Sequence, residues 1–351
     1  MKTVLIVGSV VVGLVVVAAA LFWWMSGRPL YQPGMVQEGE NLGAGLKPPE
    51  QSEDEHRWRV EDEIELYHFR AGEGRNVLVL HGGPGSPYRE PWPGLGPLTE
   101  EYAFHYYDQR GCGDSTRPVG TFSSKNTYRN MKALEQTLGI SAQLADIERI
   151  RRILGEERLL LVGHSFGGFL ASLYAAEFPD HVEGMVLVAP ADVLVMPQGS
   201  GGLFEEVRRR LPEDRREAYD VFIEDYLGFR DLFSKSEDDL VAMQREFGRY
   251  YQEALSRDLP EQAKPGGWMA WAMYLSMGKR HDYRGALADV EAPVLVIHGA
   301  EDIQSEEASR AYAQVFPNAE FRVVEDAGHF VFYDQPDRFA DTVDAFLAGL
   351  D

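Results

Sequence analysis

Residues 161–168 read LVGHSFGG, and Ser165 stands between Gly163 and Gly167 behind a run of apolar residues. Glycine and serine punctuate ordinary turns, so this stretch alone permits a turn. It equally permits a nucleophile held on a sharp strand-to-helix elbow, where small neighbours tolerate the close approach of helix and strand. The choice depends on what surrounds it. RLLLVG at 158–163 is a short, nearly continuous apolar run, and similar runs occur at 76–81, 103–108, 183–189, 293–298 and 320–325. Runs of this kind suit strands covered on both faces of a parallel sheet. Helical patterns at 142–154, 165–178, 306–316 and 336–349 alternate with them. That alternation predicts βαβ units and a mostly parallel sheet with helices on both faces. RWRVED and IELYHFR, from Arg57, predict a hairpin ahead of the sheet.

About a hundred residues between Ala189 and Pro293 carry no convincing strand, with charges of both signs and clustered aromatics. A structureless loop of that length does not fit a compact domain, so a helical cap inserted into the sheet topology is expected. The expected organisation is an anchor at 1–28, a Pro/Gly-containing linker at 29–56, core at 57–190, cap at 191–285 and core again at 286–351.

Composition narrows the function. The chain has 351 residues, 44% hydrophobic and 26% charged, with a formal net charge of −22. Such a balance repels nucleic acid phosphates, and nucleic acid is not an expected partner. A single cysteine, Cys112, excludes an internal disulfide and a cysteine zinc site. No H-E-x-x-H or comparable spacing suggests a metal. The run from Thr3 to Trp24 is uncharged. At ~1.5 Å rise per residue it can cross a ~30 Å hydrocarbon layer, with Trp23 and Trp24 at the interface. A single-pass N-terminal helix, with the catalytic part outside the cytoplasm, is the expectation. A cleaved signal peptide is the alternative, since Ala18–Ala20 could serve as its small-residue site.

The chemistry follows from what lies just past the expected strands, where open α/β sheets form their ligand crevice. A serine hydroxyl needs a base, and His329 follows the run at 320–325. Asp302 follows the run at 293–298 and could orient that histidine. Ser165, Asp302 and His329 occur in the order expected for a nucleophile elbow with its acid and base. HGGPGSP at 81–87 follows the run at 76–81, and the N–H groups of Gly83 and Phe166 would form an oxyanion hole. His81 and His164 read as supporting or loop-anchoring residues. Asp108 reads as fixing its own turn, and nothing in the sequence marks Cys112 as a nucleophile.

HGGPG at 81–85, DQRGCGDS at 108–115, GHSFGG at 163–168, HGAED at 298–302 and GHF at 328–330 resemble the proline iminopeptidase group of α/β-hydrolases. The likeness runs from about residue 60 to the C-terminus. It implies an α/β-hydrolase fold with a helical cap, a Ser165–His329–Asp302 triad, an oxyanion hole at Gly83 and Phe166, and no cofactor. It also implies removal of an N-terminal residue, often proline, from short peptides. The family often has tryptophan after the nucleophile, where this chain has Phe166. It commonly carries Trp-x-x-Trp-Glu in the cap to hold the substrate amine. Here WMAW at 268–271 is followed by Ala272. Trp268, Trp271 and Ala272 are the expected substrate-binding counterparts, and Glu224, with Asp225 and Glu237, could supply the missing carboxylate. An esterase or lipase acting on apolar acyl chains stays open, as does a non-catalytic binding protein on the same fold.

Overall fold

In a computed structural model, the described residues are 27–350 apart from 199–201, 256–257 and 259. The elements run β1 (Arg57–Glu61), β2 (Ile64–Ala71), β3 (Arg75–Leu80), β4 (Tyr102–Tyr107), α1 (Thr127–Leu138), α2 (Ile140–Leu154), β5 (Leu159–His164), α3 (Phe166–Glu177) and β6 (Val182–Val188). Then come β7 (Val195–Met196), α4 (Leu203–Arg210), α5 (Glu213–Tyr226), α6 (Glu237–Leu255), α7 (Trp268–Met277), β8 (His281–Asp282) and α8 (Arg284–Leu287). The chain closes with β9 (Val294–Gly299), α9 (Glu306–Val315), β10 (Ala319–Val324), α10 (Val331–Asp334) and α11 (Pro336–Leu347).

Eight strands form one sheet in the order β1-β2-β4-β3-β5-β6-β9-β10. β1, β2 and β4 pair antiparallel at one edge, and every pairing from β4 to β10 is parallel. The apolar runs show why both faces are covered. Leu78, Leu80, Leu159, Leu161, Met185 and Leu187 join α2 and α3 in one cluster. Their sequence neighbours Val77, Val79, Leu160, Val162, Val186 and Val188 join α10 and α11 in the other. The strand period of two thus distributes one continuous apolar run between two cores.

α4 to α7 form the insertion between β6 and β9. One feature departs from the all-helical expectation there. β7 and β8 pair antiparallel through Val195–Asp282 and Met196–His281, so a small ribbon closes the base of the cap. Two-residue strands leave no periodicity for a sequence to display.

The stretch expected as a linker is packed at its N-terminal half. Tyr31 and Val36 are fully buried. The Glu177 carboxylate at the end of α3 accepts from the Tyr31 hydroxyl (2.9 Å), Gly34 N–H (2.9 Å) and Gln37 N–H (3.0 Å). Leu30 N–H donates to the Ser276 carbonyl of α7 at 2.8 Å, so this segment also ties the cap to the core. The expected membrane span, Thr3 to Trp24, lies outside the described residues. Among the described residues no helix is long and apolar enough to cross a membrane.

Candidate active site

Ser165 ends β5 and caps α3 with φ 53° and ψ −119°. A non-glycine residue in this region is strained and persists only where its surroundings over-determine it. Here Ser165 N–H donates to the Val188 carbonyl, and the Ser165 carbonyl accepts from Gly168 and Ala191 N–H. The flanking glycines are sterically required. A Cβ on Gly167 would lie 2.2 Å from the Leu80 carbonyl oxygen, and one on Gly163 would lie 2.6 Å from that of Gly167. The elbow therefore presses α3 against β3 and β5 and leaves the Ser165 side chain on a cavity wall.

That cavity has a volume of about 470 Å³ and lies between the sheet and the cap. Ser165, His329, Gly82 and Gly83 share its core-side wall. His329 follows β10, and its Nδ1 donates to Asp302 Oδ1 and Oδ2, both at 3.0 Å. A carboxylate cannot donate, so Nδ1 carries the hydrogen and Nε2 is left as an acceptor. Asp302 follows β9 and is buried; its Oδ1 also accepts Gln304 N–H at 2.9 Å. Phe166 is the first residue of α3, so its N–H has no acceptor within the helix. Its ring is buried against Phe169.

Several supporting residues have a clear geometry. His164 Nε2 donates to the His329 carbonyl at 2.9 Å, so its Nδ1 accepts from the Tyr88 hydroxyl at 2.8 Å. Burial, with His329 close by, holds the His164 imidazole well below its ordinary pKa, and it is neutral. His81 accepts Gln109 N–H and donates to the Gly82 carbonyl, which fixes the glycine-rich turn; burial lowers its pKa to about 4. Asp108 accepts Asp114 N–H at 2.7 Å, and burial raises its carboxyl to about 6. Arg110 of the same turn is buried in a bidentate pair with Asp146. Cys112 is fully buried, which pushes its thiol pKa well up and leaves it unreactive.

Gln304 was not singled out by sequence. Its Oε1 accepts Asp192 N–H at 2.9 Å, which turns its amide nitrogen towards the Ala189 carbonyl and His329 Nδ1, both at 3.3 Å. Tyr88 was missed as well. Only their spacing from HGAED and HGGPG could have signalled either.

The residues expected to bind substrate lie elsewhere. Trp268, Trp271 and Ala272 are fully buried in α7 and line no part of the cavity. Trp268 Nε1 donates to the Gly120 carbonyl, which ties the cap to the core, and Trp271 Nε1 donates to that of Tyr226, which ties α7 to α5 within the cap. Glu224 is exposed on α5 away from the cavity. Asp225 pairs with Lys235. Glu237 pairs with Arg117 and accepts the N–H groups of Gly267 and Trp268 at the start of α7. α6 supplies most of the cap-side wall, through Gln244, Phe247 and Tyr251, with Tyr226 of α5 and Tyr274 of α7 beside it. The cap also pins the glycine-rich turn, since Ala263 and Gly266 N–H donate to the Pro87 and Gly85 carbonyls.

The model of the alpha/beta hydrolase fold matches residues 75–336. A proline iminopeptidase of Heyndrickxia coagulans is 27% identical over 293 residues, covering 79% of this chain and 91% of the relative. One from Neisseria meningitidis is 26% identical over 300 residues, covering 78% and 89%. Among solved structures, a thermophilic esterase from Thermogutta terrifontis is 25% identical with a TM-score of 0.54, covering 84% of this chain and 97% of the esterase. The elbow, the sheet order and these likenesses agree: the chain belongs to the alpha/beta hydrolase fold family and is similar, over most of its length, to proline iminopeptidases.

Proposed function

We propose that this serine hydrolase cleaves an acyl bond with Ser165 as nucleophile, His329 as base and Asp302 as the group that orients it. Ser165 Oγ attacks the acyl carbon while His329 Nε2 takes its proton, and the same proton later goes to the leaving group. Asp302 holds the Nδ1–H tautomer and stabilises the imidazolium. The N–H groups of Gly83 and Phe166 receive the developing oxyanion. Water then repeats the sequence on the acyl-enzyme and regenerates Ser165.

The preferred substrate is an ester without a free amino group. One observation carries that reading: no aspartate or glutamate is among the described residues lining the cavity. A cationic amine taken out of water needs a carboxylate partner, and the three acids that could have served are exposed or otherwise paired. Removal of an N-terminal residue from short peptides is the second reading, favoured by the relatives named proline iminopeptidase. The uncharged run from Thr3 to Trp24 would anchor the enzyme in a membrane, its hydrolase domain outside the cytoplasm.

A paired rate assay tests the proposal: a prolyl nitroanilide against short and medium acyl nitrophenyl esters, with Ser165→Ala as the blank. Ester turnover lost in Ser165→Ala, with no anilide turnover, is the expected result. Anilide cleavage that disappears when the amine is blocked would establish the peptidase instead. Ester turnover at a near-normal rate in Ser165→Ala would overturn the nucleophile.

A further inference from the structure

The cap-side wall of the cavity carries a chemical signature of its own. α6 presents Arg245, Gly248, Arg249 and Gln252 along it, spaced three and four residues apart as one helical face requires. With Lys264 on the segment that follows, the described lining residues include three cations and no carboxylate. This is unusual in a chain with 56 acidic residues against 34 lysines and arginines.

The three cations are not equivalent. Arg249 pairs with Glu246 at 2.5 Å, and Lys264 with Asp238 at 3.3 Å. Arg245 has no ion pair among the described residues and is exposed at the cavity edge. Tyr251 and Phe330 pack against the His329 ring and Phe247 against Tyr251, so the wall beside the reacting groups is aromatic, while Arg245 lines the cavity two residues before Phe247 on α6. A ligand matching this wall has an apolar stretch near the acyl carbon and an anionic group farther out.

Resting on the reading of Ser165 as nucleophile, we infer that the enzyme's substrates are esters bearing a carboxylate, and that Arg245 is the residue that selects it. The guanidinium offers a planar fork that matches a carboxylate, as an exposed lysine does not. Its neighbours Arg249 and Lys264 are each offset by their own partners, Glu246 and Asp238, which leaves Arg245 as the cation with charge to offer. Because Arg245 faces water, its effect is moderate and salt-sensitive.

Two matched ester pairs test this. One has the acid in the acyl part, 4-nitrophenyl hydrogen glutarate against its methyl ester. The other has it in the leaving group, 4-acetoxybenzoate against methyl 4-acetoxybenzoate. Turnover is measured in the full chain and in Arg245→Gln, Arg245→Glu and Arg245→Lys. In at least one pair, the anionic-to-neutral ratio of kcat/KM should fall about three- to tenfold in Arg245→Gln, chiefly through KM. It should fall further in Arg245→Glu, recover in part in Arg245→Lys, and shrink towards that of Arg245→Gln at about 1 M salt. Ratios that stay within twofold across all variants in both pairs would overturn the inference while leaving Ser165 in place. Absence of Ser165-dependent turnover on all four esters would instead remove the reading beneath it, and the inference with it.

Discussion

Asp302→Asn is the substitution through which the proposed mechanism is most exposed to refutation. The change preserves shape, so the loss must come from charge and hydrogen-bond direction. With aspartate, both carboxylate oxygens accept His329 Nδ1–H at 3.0 Å. An imidazolium beside this carboxylate gains about 4 kcal/mol for charges ~4 Å apart at an effective dielectric near 20. Losing that attraction alone slows acylation about 10³-fold, since ~1.4 kcal/mol is tenfold in rate. The amide adds a second penalty. Its nitrogen can donate to Nδ1, and the Gln304 amide nitrogen already lies 3.3 Å from the same atom. Both donors favour the tautomer with hydrogen on Nε2, which cannot accept the Ser165 proton. Together these effects predict a loss of about 10³- to 10⁴-fold. The assay is the burst of nitrophenolate from 4-nitrophenyl acetate by stopped flow, with thermal unfolding to confirm an intact fold. A folded Asp302→Asn enzyme acylating within tenfold of the parent would show that His329 does not depend on Asp302, and the mechanism would fall.

Three further outcomes follow from the packing. Burial raises the Glu135 carboxyl to about 7 despite hydrogen bonds from Ser276 and Asn41. A group raised in the fold stabilises it below its unfolded pKa near 4.5, and that contribution, about 3 kcal/mol, is lost as pH rises through 7. The melting temperature should therefore fall between pH 5 and 8, and Glu135→Gln should flatten that slope; an unchanged slope would refute the assignment. Gly167→Ala drives a methyl to within 2.2 Å of the Leu80 carbonyl oxygen, backbone that cannot swing away, so the elbow must distort. It should lower both stability and Ser165 labelling by a fluorophosphonate, and normal labelling would contradict the steric reading. Tyr31→Ala removes a fully buried ring and a hydroxyl bonded to Glu177, and should cost about 3–5 kcal/mol by denaturant titration. A cost below about 1 kcal/mol would make this N-terminal segment the loose tether that its composition suggests.

Legibility tracked how local each cause was. The inner parallel strands could be read because each carries a short buried apolar run, as Leu159–Val162 does, whereas the edge strand β10 exposes Glu320, Arg322 and Val323. Ser165 could be read because its two glycines lie within the same five residues. Asp302 and His329 stood out only by following expected strands, and the fold places them in hydrogen-bond contact. Tyr31 looked like part of a tether because the group that docks it, Glu177, is distant in sequence and carries no mark of that role. Gln304 was hidden for the same reason, since its partners Asp192 and Ala189 come from the far end of β6. Trp268 and Trp271 were expected to bind substrate because WMAW at 268–271 resembles the Trp-x-x-Trp-Glu stretch of the proline iminopeptidase group. The stretch from Trp268 to Met277 is apolar nearly all round, which marks a helix enclosed on every side.

That distinction divides the labour of the cap. α7 is tied down: Glu237 and Arg117 hold its first turn, and both indoles donate to backbone carbonyls. Ser276 near its end contacts Glu135 and accepts Ile140 N–H. A substitution there disturbs a satisfied buried network, and its cost appears in stability. α6 is buried at Leu240, Val241, Gln244, Tyr250 and Ala254 but exposes Arg245 and Arg249 at the cavity edge. Substitutions on that edge change what meets the substrate without opening the core. Ala272, the residue after Trp271, therefore sits in the packed part of a helix that reaches the cavity through Tyr274, whereas α6 carries Arg245 and most of the cap-side wall.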